Sequence, residues 1–146
     1  MRIPLENPTF VFARVKGRNG AFRDLRAVLD FNAPYCLLFS KDGLSLGYTE
    51  AVLRPRDWQK NNPQLAPVVL NFRGLERSIL LGLEEVSLGS LVARNVGAVV
   101  LELELYRLLP MEMILGRSFL DNFILTVDAG KGYISLRERR PNPKPH

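Results

Sequence analysis

The side chains on which most catalysis depends are scarce in this chain. Its 146 residues hold one cysteine, Cys36, and one histidine, His146. A lone cysteine excludes an internal disulfide and fits a reducing compartment. A Ser-His-Asp or Cys-His catalyst would have to use His146, the last residue of a polar, Pro-rich stretch, so neither arrangement is expected. No grouping of His, Cys and carboxylates has metal-ligand spacing, so no metal is expected. There is no phosphate-binding glycine loop of the Walker or dinucleotide kind, and no cofactor is expected. No run approaches the ~20 apolar residues of a membrane span. The opening residues, Met1 to Pro8, lack the apolar core of a signal peptide. A soluble, cytoplasmic protein that engages no membrane is the resulting expectation.

What is present suits one globular domain. Apolar residues make up 47% of the chain, enough for a packed core at this length. The formal charge is +5, from 20 Lys and Arg against 15 Asp and Glu. That excess is partly local, since Arg137, Arg139, Arg140 and Lys144 all fall within the last ten residues. The other basic residues are scattered between strands rather than clustered with aromatics, so a nucleic-acid partner is not expected. The domain is placed at residues 1–137, with a basic, Pro-rich, disordered tail at 138–146.

Short strands divided by turn signals dominate the pattern. Phe10 to Lys16 is aromatic and β-branched, Asn19-Gly20 is a strong hairpin signal, and Ala21 to Leu29 reads as the return strand. Asp30-Phe31-Asn32-Ala33-Pro34 breaks that run, and Tyr35 to Ser40 is apolar again. Lys41-Asp42-Gly43 reads as a turn. Residues 44–66 read as a long loop with a helical turn near Asp57-Trp58, where Trp58 is assigned to packing. Hairpins are expected around Arg73-Gly74 and around Gly89-Ser90. Val96 to Leu105 alternates with period two toward its end, the mark of one buried and one wet face. Met111 to Leu115 is a strand, Ser118 to Phe123 a short helix, and Ile124 to Val127 and Tyr133 to Leu136 a closing pair. The fold class is therefore all-β, mainly strand with one short helix, closed into a barrel or sandwich.

Two motifs and their order carry a resemblance. The apolar run Ala27-Val28-Leu29 ends in Asp30, and Met113-Ile114-Leu115-Gly116-Arg117 leads into the short helix. In this arrangement residues 8–137 resemble the retropepsin-like (retroviral-type) aspartic proteases, single-domain closed β-barrels. The resemblance implies that Asp30 is the catalytic aspartate in an active-site loop of Phe31, Asn32 and Ala33. It implies a flap at Phe72-Arg73-Gly74-Leu75, and structural support from Leu115, Gly116 and Arg117. It further implies a homodimer, because each chain supplies one aspartate, and a peptide or unfolded protein as substrate, held extended beneath the flaps.

The sequence departs from the family beside Asp30. Phe31 stands where the family has a Thr or Ser hydroxyl that locks the two active-site loops together. Asn32 stands where glycine supplies a positive φ; asparagine is the best non-glycine substitute there. Pro34 stands where viral members carry an aspartate that pairs with the Arg of Gly-Arg, so Arg117 needs another partner. Three functions stay open: an aspartic endopeptidase, a non-cutting peptide- or protein-binding module on the same fold, and a basic barrel that binds nucleic acid. On residue type alone Asp30 also reads as an ordinary turn aspartate. Asp128-Ala129-Gly130, a second apolar-apolar-Asp-x-Gly stretch, comes after the Gly116 helix and is read as a hairpin turn.

Overall fold

In the computed structural model, residues 1–5, 10–48, 78–101 and 110–139 are described. Nine strands and two helices run through them. They are β1 (Arg2–Pro4), β2 (Phe10–Lys16), β3 (Phe22–Leu29), β4 (Cys36–Phe39), α1 (Ser40–Ser45), β5 (Ser78–Leu88), β6 (Leu91–Leu101), β7 (Met113–Leu115), α2 (Arg117–Leu120), β8 (Phe123–Asp128) and β9 (Tyr133–Glu138). Six strands close a barrel in the order β2-β3-β7-β4-β6-β5, and a separate three-stranded sheet runs β1-β9-β8. The expected flap at Phe72 to Leu75, the helical turn near Trp58 and residues 140–146 of the expected tail lie outside the described residues, whereas Glu138, expected in that tail, is the last residue of β9.

Alternation builds the barrel wall. Val11, Ala13 and Val15 of β2 and Leu25 and Ala27 of β3 point inward and are buried, while Phe12, Arg14, Asp24 and Arg26 between them are exposed. All four residues of β4 are buried, as expected of a strand covered on both faces. Val86 and Leu88 of β5 and Ala93, Val96 and Ala98 of β6 complete the core with Met113 and Leu115 of β7. The β5–β6 hairpin turns at Gly89-Ser90 and keeps one register from Leu88↔Leu91 to Ser78↔Leu101.

Three expectations need correction. Lys41-Asp42-Gly43 is not a turn but part of α1. The glycine that suggested a turn serves packing, because a Cβ at Gly43 would lie 2.9 Å from Val100 Cγ1. The helix stops at Gly47, whose φ is +80°. There the Gly47 N–H donates to Leu44 O and the Tyr48 N–H to Gly43 O, the paired bonds of a glycine-terminated helix. Second, the described residues hold two short helices, not one. Third, strand pairing does bring cations to aromatic rings. The Arg26 guanidinium lies 4.2 Å from the Phe10 ring centre, and Arg14 and Lys16 each lie 6.0 Å from that of Phe22. The strand at Arg2–Pro4 went unanticipated: three residues with a charge and a proline carry no strand signal, and Ile3 is buried by pairing with β9.

Two buried polar groups fix the lower end of the barrel. Tyr48 is 1% exposed. Its hydroxyl donates to Lys16 O at 2.8 Å and accepts from the Glu84 N–H at 2.9 Å. The β2–β5 ladder ends at Lys16↔Glu85, so the hydroxyl continues it by one step. Burial pushes the Tyr48 pKa up, and the group remains a neutral donor. Asp42 is the single buried charged residue of the described core. Arg23 Nη2 lies 3.2 Å from its Oδ1 as an ion pair, although that oxygen receives no hydrogen bond. Arg23 Nη1 also donates to Ser45 Oγ, so one arginine of β3 bolts α1 to the barrel.

Tyr48→Phe leaves two part-buried backbone groups, Lys16 O and the Glu84 N–H, without the hydroxyl that joins them, and should lower stability by about 1–2 kcal/mol. The urea midpoint should fall with an unchanged slope. Burial raises the Asp42 pKa above 3.8, with Arg23 opposing. The native chain therefore holds the Asp42 proton to a higher pH than the unfolded chain does. The stability this confers is full below the unfolded value and is lost as pH rises through the native one. Asp42→Asn should remove that decline, so the wild-type minus variant difference in unfolding free energy should shrink as pH rises from 3.5 toward neutrality.

Candidate active site

Topology sets the site. Strand β7 lies between β3 and β4, parallel to β3 and antiparallel to β4. The chain leaving β3 at Leu29 must therefore cross the end of β7 to begin β4 at Cys36. Residues 30–35 make that crossing, and Asp30 is the first of them. Its N–H donates to Leu115 O at 3.0 Å, extending the β3–β7 ladder by one bond. The Ala33 N–H then returns to Asp30 O at 3.3 Å, closing a four-residue turn with Phe31 and Asn32 at its centre.

The Asp30 carboxylate stands at the head of this turn. Its Oδ1 accepts the Asn32 N–H at 2.9 Å, the local bond by which aspartate stabilises turns. Asp30 Oδ2 has no hydrogen-bond partner among the described residues. Asp30 is half-buried, while Phe31 and Asn32 are exposed, Phe31 by 40%. Asn32 does not take the left-handed conformation expected of it; Asn95, with φ of 52°, is the non-glycine residue in that region among those described. The turn instead forms with Asn32 at negative φ, and its backbone, not its side chain, meets Asp30.

The crossing needs a bare backbone beneath it. Gly116 lies directly under the loop, where a Cβ would be 2.6 Å from Ala33 O and nearer still to Tyr35 O. Its φ of −97° is open to any residue, so close approach, not conformation, requires glycine. The next two N–H groups hold the loop down: Arg117 donates to Ala33 O at 2.7 Å and Ser118 to Pro34 O at 3.0 Å. Leu115, Gly116 and Arg117 thus all support the loop through their backbones. The Arg117 side chain is exposed and makes no ion pair among the described residues, so Pro34 leaves it unpaired there.

Three residues of the site escaped the sequence. Ser118 Oγ donates to Gly97 O at 2.6 Å and accepts the Cys36 N–H at 3.1 Å, joining α2, β6 and the start of β4. The Tyr35 ring covers Gly97, where a Cβ would lie 2.9 Å from Tyr35 Cδ1. A glycine inside a strand signals such an approach, so Gly97 could have been found. Ser118 carries no signal of its own. Cys36 is fully buried beside Ser118, and burial pushes its thiol pKa up, which suits a packing role. Asp128 sits apart in the β8–β9 hairpin, where its Oδ1 accepts the Lys131 N–H.

No family model matches the sequence, and no curated protein is detectably similar to it. Solved structures are. The chain matches a retropepsin-like aspartic protease from Rickettsia conorii with a TM-score of 0.60 at 19% identity, over 93% of this chain and 88% of that one. It also matches the retroviral protease-like domain of Ddi1 from Leishmania major, with a TM-score of 0.49 at 15% identity, over 88% and 89% of the two chains.

Gly116→Ala should force the 30–35 loop off β7. The expected cost is about 1–3 kcal/mol, read as a lowered urea midpoint, with faster amide exchange at Arg117 and Ser118 than elsewhere in the barrel. A six-stranded barrel, a loop crossing β7 over a bare glycine, and the match to the Rickettsia conorii structure together give this chain the retropepsin-like fold.

Proposed function

We propose that the chain is an aspartic endopeptidase of retropepsin type that works as a homodimer, with one Asp30 from each copy. The observation that carries this is the presentation of Asp30. Its carboxylate sits on an exposed turn, Oδ1 is fixed by the Asn32 N–H, and Oδ2 has no partner among the described residues. A carboxylate needed only for the turn would be satisfied by the first bond. The second oxygen is available to a water or to another carboxyl group.

Two such carboxylates brought together about a two-fold axis cannot both ionise freely, so they share a proton. The ionised member takes a proton from a water held between them, and the water oxygen attacks the peptide carbonyl carbon. The protonated member gives its proton to the carbonyl oxygen, forming a neutral tetrahedral diol. Collapse breaks the C–N bond as the nitrogen receives a proton, and the shared proton is restored. An extended peptide would be the substrate, since strand addition suits a barrel cleft.

A second function is favoured by Phe31. An apolar ring exposed by 40% beside the carboxylate replaces a loop-locking hydroxyl with a surface for a partner. On that basis the chain would bind a peptide or protein without cutting it.

The two are separated by incubating an unfolded protein substrate with the wild type and Asp30→Ala across pH 3 to 7. A protease gives wild-type cleavage with an acid optimum, because one proton must be kept on the pair, and a loss of at least about a thousandfold in Asp30→Ala. No cleavage by a folded, dimeric wild type, together with retained peptide binding, would assign the binding function instead.

A further inference from the structure

The outer wall of the barrel, on the side of the sheet away from the core, carries aromatic rings and cations in rows set by the strand register. Phe22, Lys16, Glu85 and Arg94 lie side by side across β3, β2, β5 and β6. Asp24 and Arg14 form the next row, Arg26 and Phe12 the one after, and Val28 and Phe10 the last. Their sequence neighbours Val11, Ala13, Val15, Leu25 and Ala27 are buried, so these side chains share the outward face. Two of its rings are open to water, Phe12 being 70% exposed and Phe22 52%.

Cations are interleaved with these rings. The Arg26 guanidinium lies over Phe10, and Arg14 and Lys16 both approach Phe22. The carboxylates that register brings here are all engaged. Asp24 accepts from Arg14 Nε at 2.9 Å, Glu85 lies 3.6 Å from Arg94, and Glu112 at the rim accepts the Arg26 N–H. Lys16 and Arg26 are left with no ion pair among the described residues. Each thus sets an uncompensated positive charge beside a ring. The rings do not merge into one apolar patch, because Arg26 covers Phe10 and the Arg14–Asp24 row separates Phe12 from Phe22. The core of a protein interface, or a lipid surface, calls for contiguous apolar area. Rings alternating with cations on a sheet face suit bases that stack and phosphates that need neutralising.

We propose that this face binds single-stranded nucleic acid, with bases stacked on Phe12 and Phe22 and backbone phosphates held by Lys16 and Arg26. Phe12 pairs with Arg26, so the two rings stand four strand residues apart, roughly 14 Å. That leaves room for the sugar-phosphate linkage between two stacked bases. A single strand is required, because a duplex keeps its base faces stacked on one another. The chain's net charge of +5 favours the same partner. Basic residues that look scattered along the chain gather beside aromatics only once β2 and β3 pair. Stacking and phosphate contacts do not distinguish DNA from RNA, so both are expected to bind. The proposal does not rest on Asp30, and it holds whether or not the chain cuts peptides.

The test is fluorescence anisotropy of labelled oligothymidine and oligouridine, each about 20 nucleotides long, titrated with the whole chain from about 20 to 200 mM salt. Both should bind, with log K falling against log salt at a slope of about −1.4, the value for two phosphates on a single strand. Phe12→Ala and Phe22→Ala should each weaken binding about fivefold or more. Arg26→Gln should weaken it too and make the salt slope shallower by about 0.7, with Lys16→Gln as the substitute if that variant fails to fold. Lys131→Gln removes one charge from the exposed β8–β9 turn and should do neither. An unchanged urea midpoint shows that each variant is folded. A duplex of the same length should bind more weakly than either single strand. No binding at the lowest salt would overturn the proposal. So would binding that ignores both folded ring variants, that Lys131→Gln weakens equally, or that is as tight to the duplex. Ring-dependent binding to phosphatidylserine vesicles, with none to the oligonucleotides, would give the face to a membrane and overturn it as well.

Discussion

The site depends on one topological demand: β3 and β4 must be joined across the end of the strand that lies between them. A connection that passes over a strand terminus brings two backbones together within van der Waals reach, and a side chain at the crossing would hold them apart. Gly116 meets that demand by having none. Once the loop lies flat, the N–H groups that follow Gly116 reach Ala33 O and Pro34 O, and the Leu115 carbonyl receives the Asp30 N–H. The aspartate is thereby fixed at a strand end by its own backbone, independently of the residues that follow it in the turn.

That independence explains how the loop tolerates its unusual neighbours. Phe31 and Asn32 occupy the two central positions of a hydrogen-bonded turn whose ends are secured by β7 and α2. Neither needs a positive φ, and neither side chain is needed to hold the turn, since the Asn32 N–H meets Asp30 Oδ1 from the backbone. The support lies below instead, in Ser118 and in the Tyr35 ring packed on Gly97. Phe31 sets the surface the loop presents, an exposed apolar ring beside the Asp30 carboxylate.

The barrel and the terminal sheet divide the remaining work. Alternating strands bury the barrel interior, Tyr48 continues a ladder where two strands part, and the Arg23–Asp42 pair ties the one helix of the lower end to the wall. The pair is a poor source of net stability, because removing a carboxylate from water costs about as much as the attraction returns. Its effect is to hold α1 in one place. The terminal sheet, by contrast, stands outside the barrel, with β9 at its centre between β1 and β8.

Much of this was written in the chain itself. The aromatic and β-branched run Phe10 to Lys16, the Asn19-Gly20 and Gly89-Ser90 turns, and the order of Asp30 before Gly116-Arg117 pointed to a mainly β barrel and marked the two segments that meet at the end of β7, because strands and tight turns are local structures that nearby residues encode. Other features depend on partners distant in sequence, and only the tertiary structure decided them. Gly43 looked like a turn residue because a glycine required by Val100 cannot be told from one required by conformation. Arg2–Pro4 becomes a strand only because β9 is there to pair with it. Arg26, Lys16 and Arg14 meet phenylalanines only across a strand register. Ser118 looks like any serine until Cys36 and Gly97 come within reach of its hydroxyl, and the order β1-β9-β8 of the terminal sheet follows from pairings that no single segment contains.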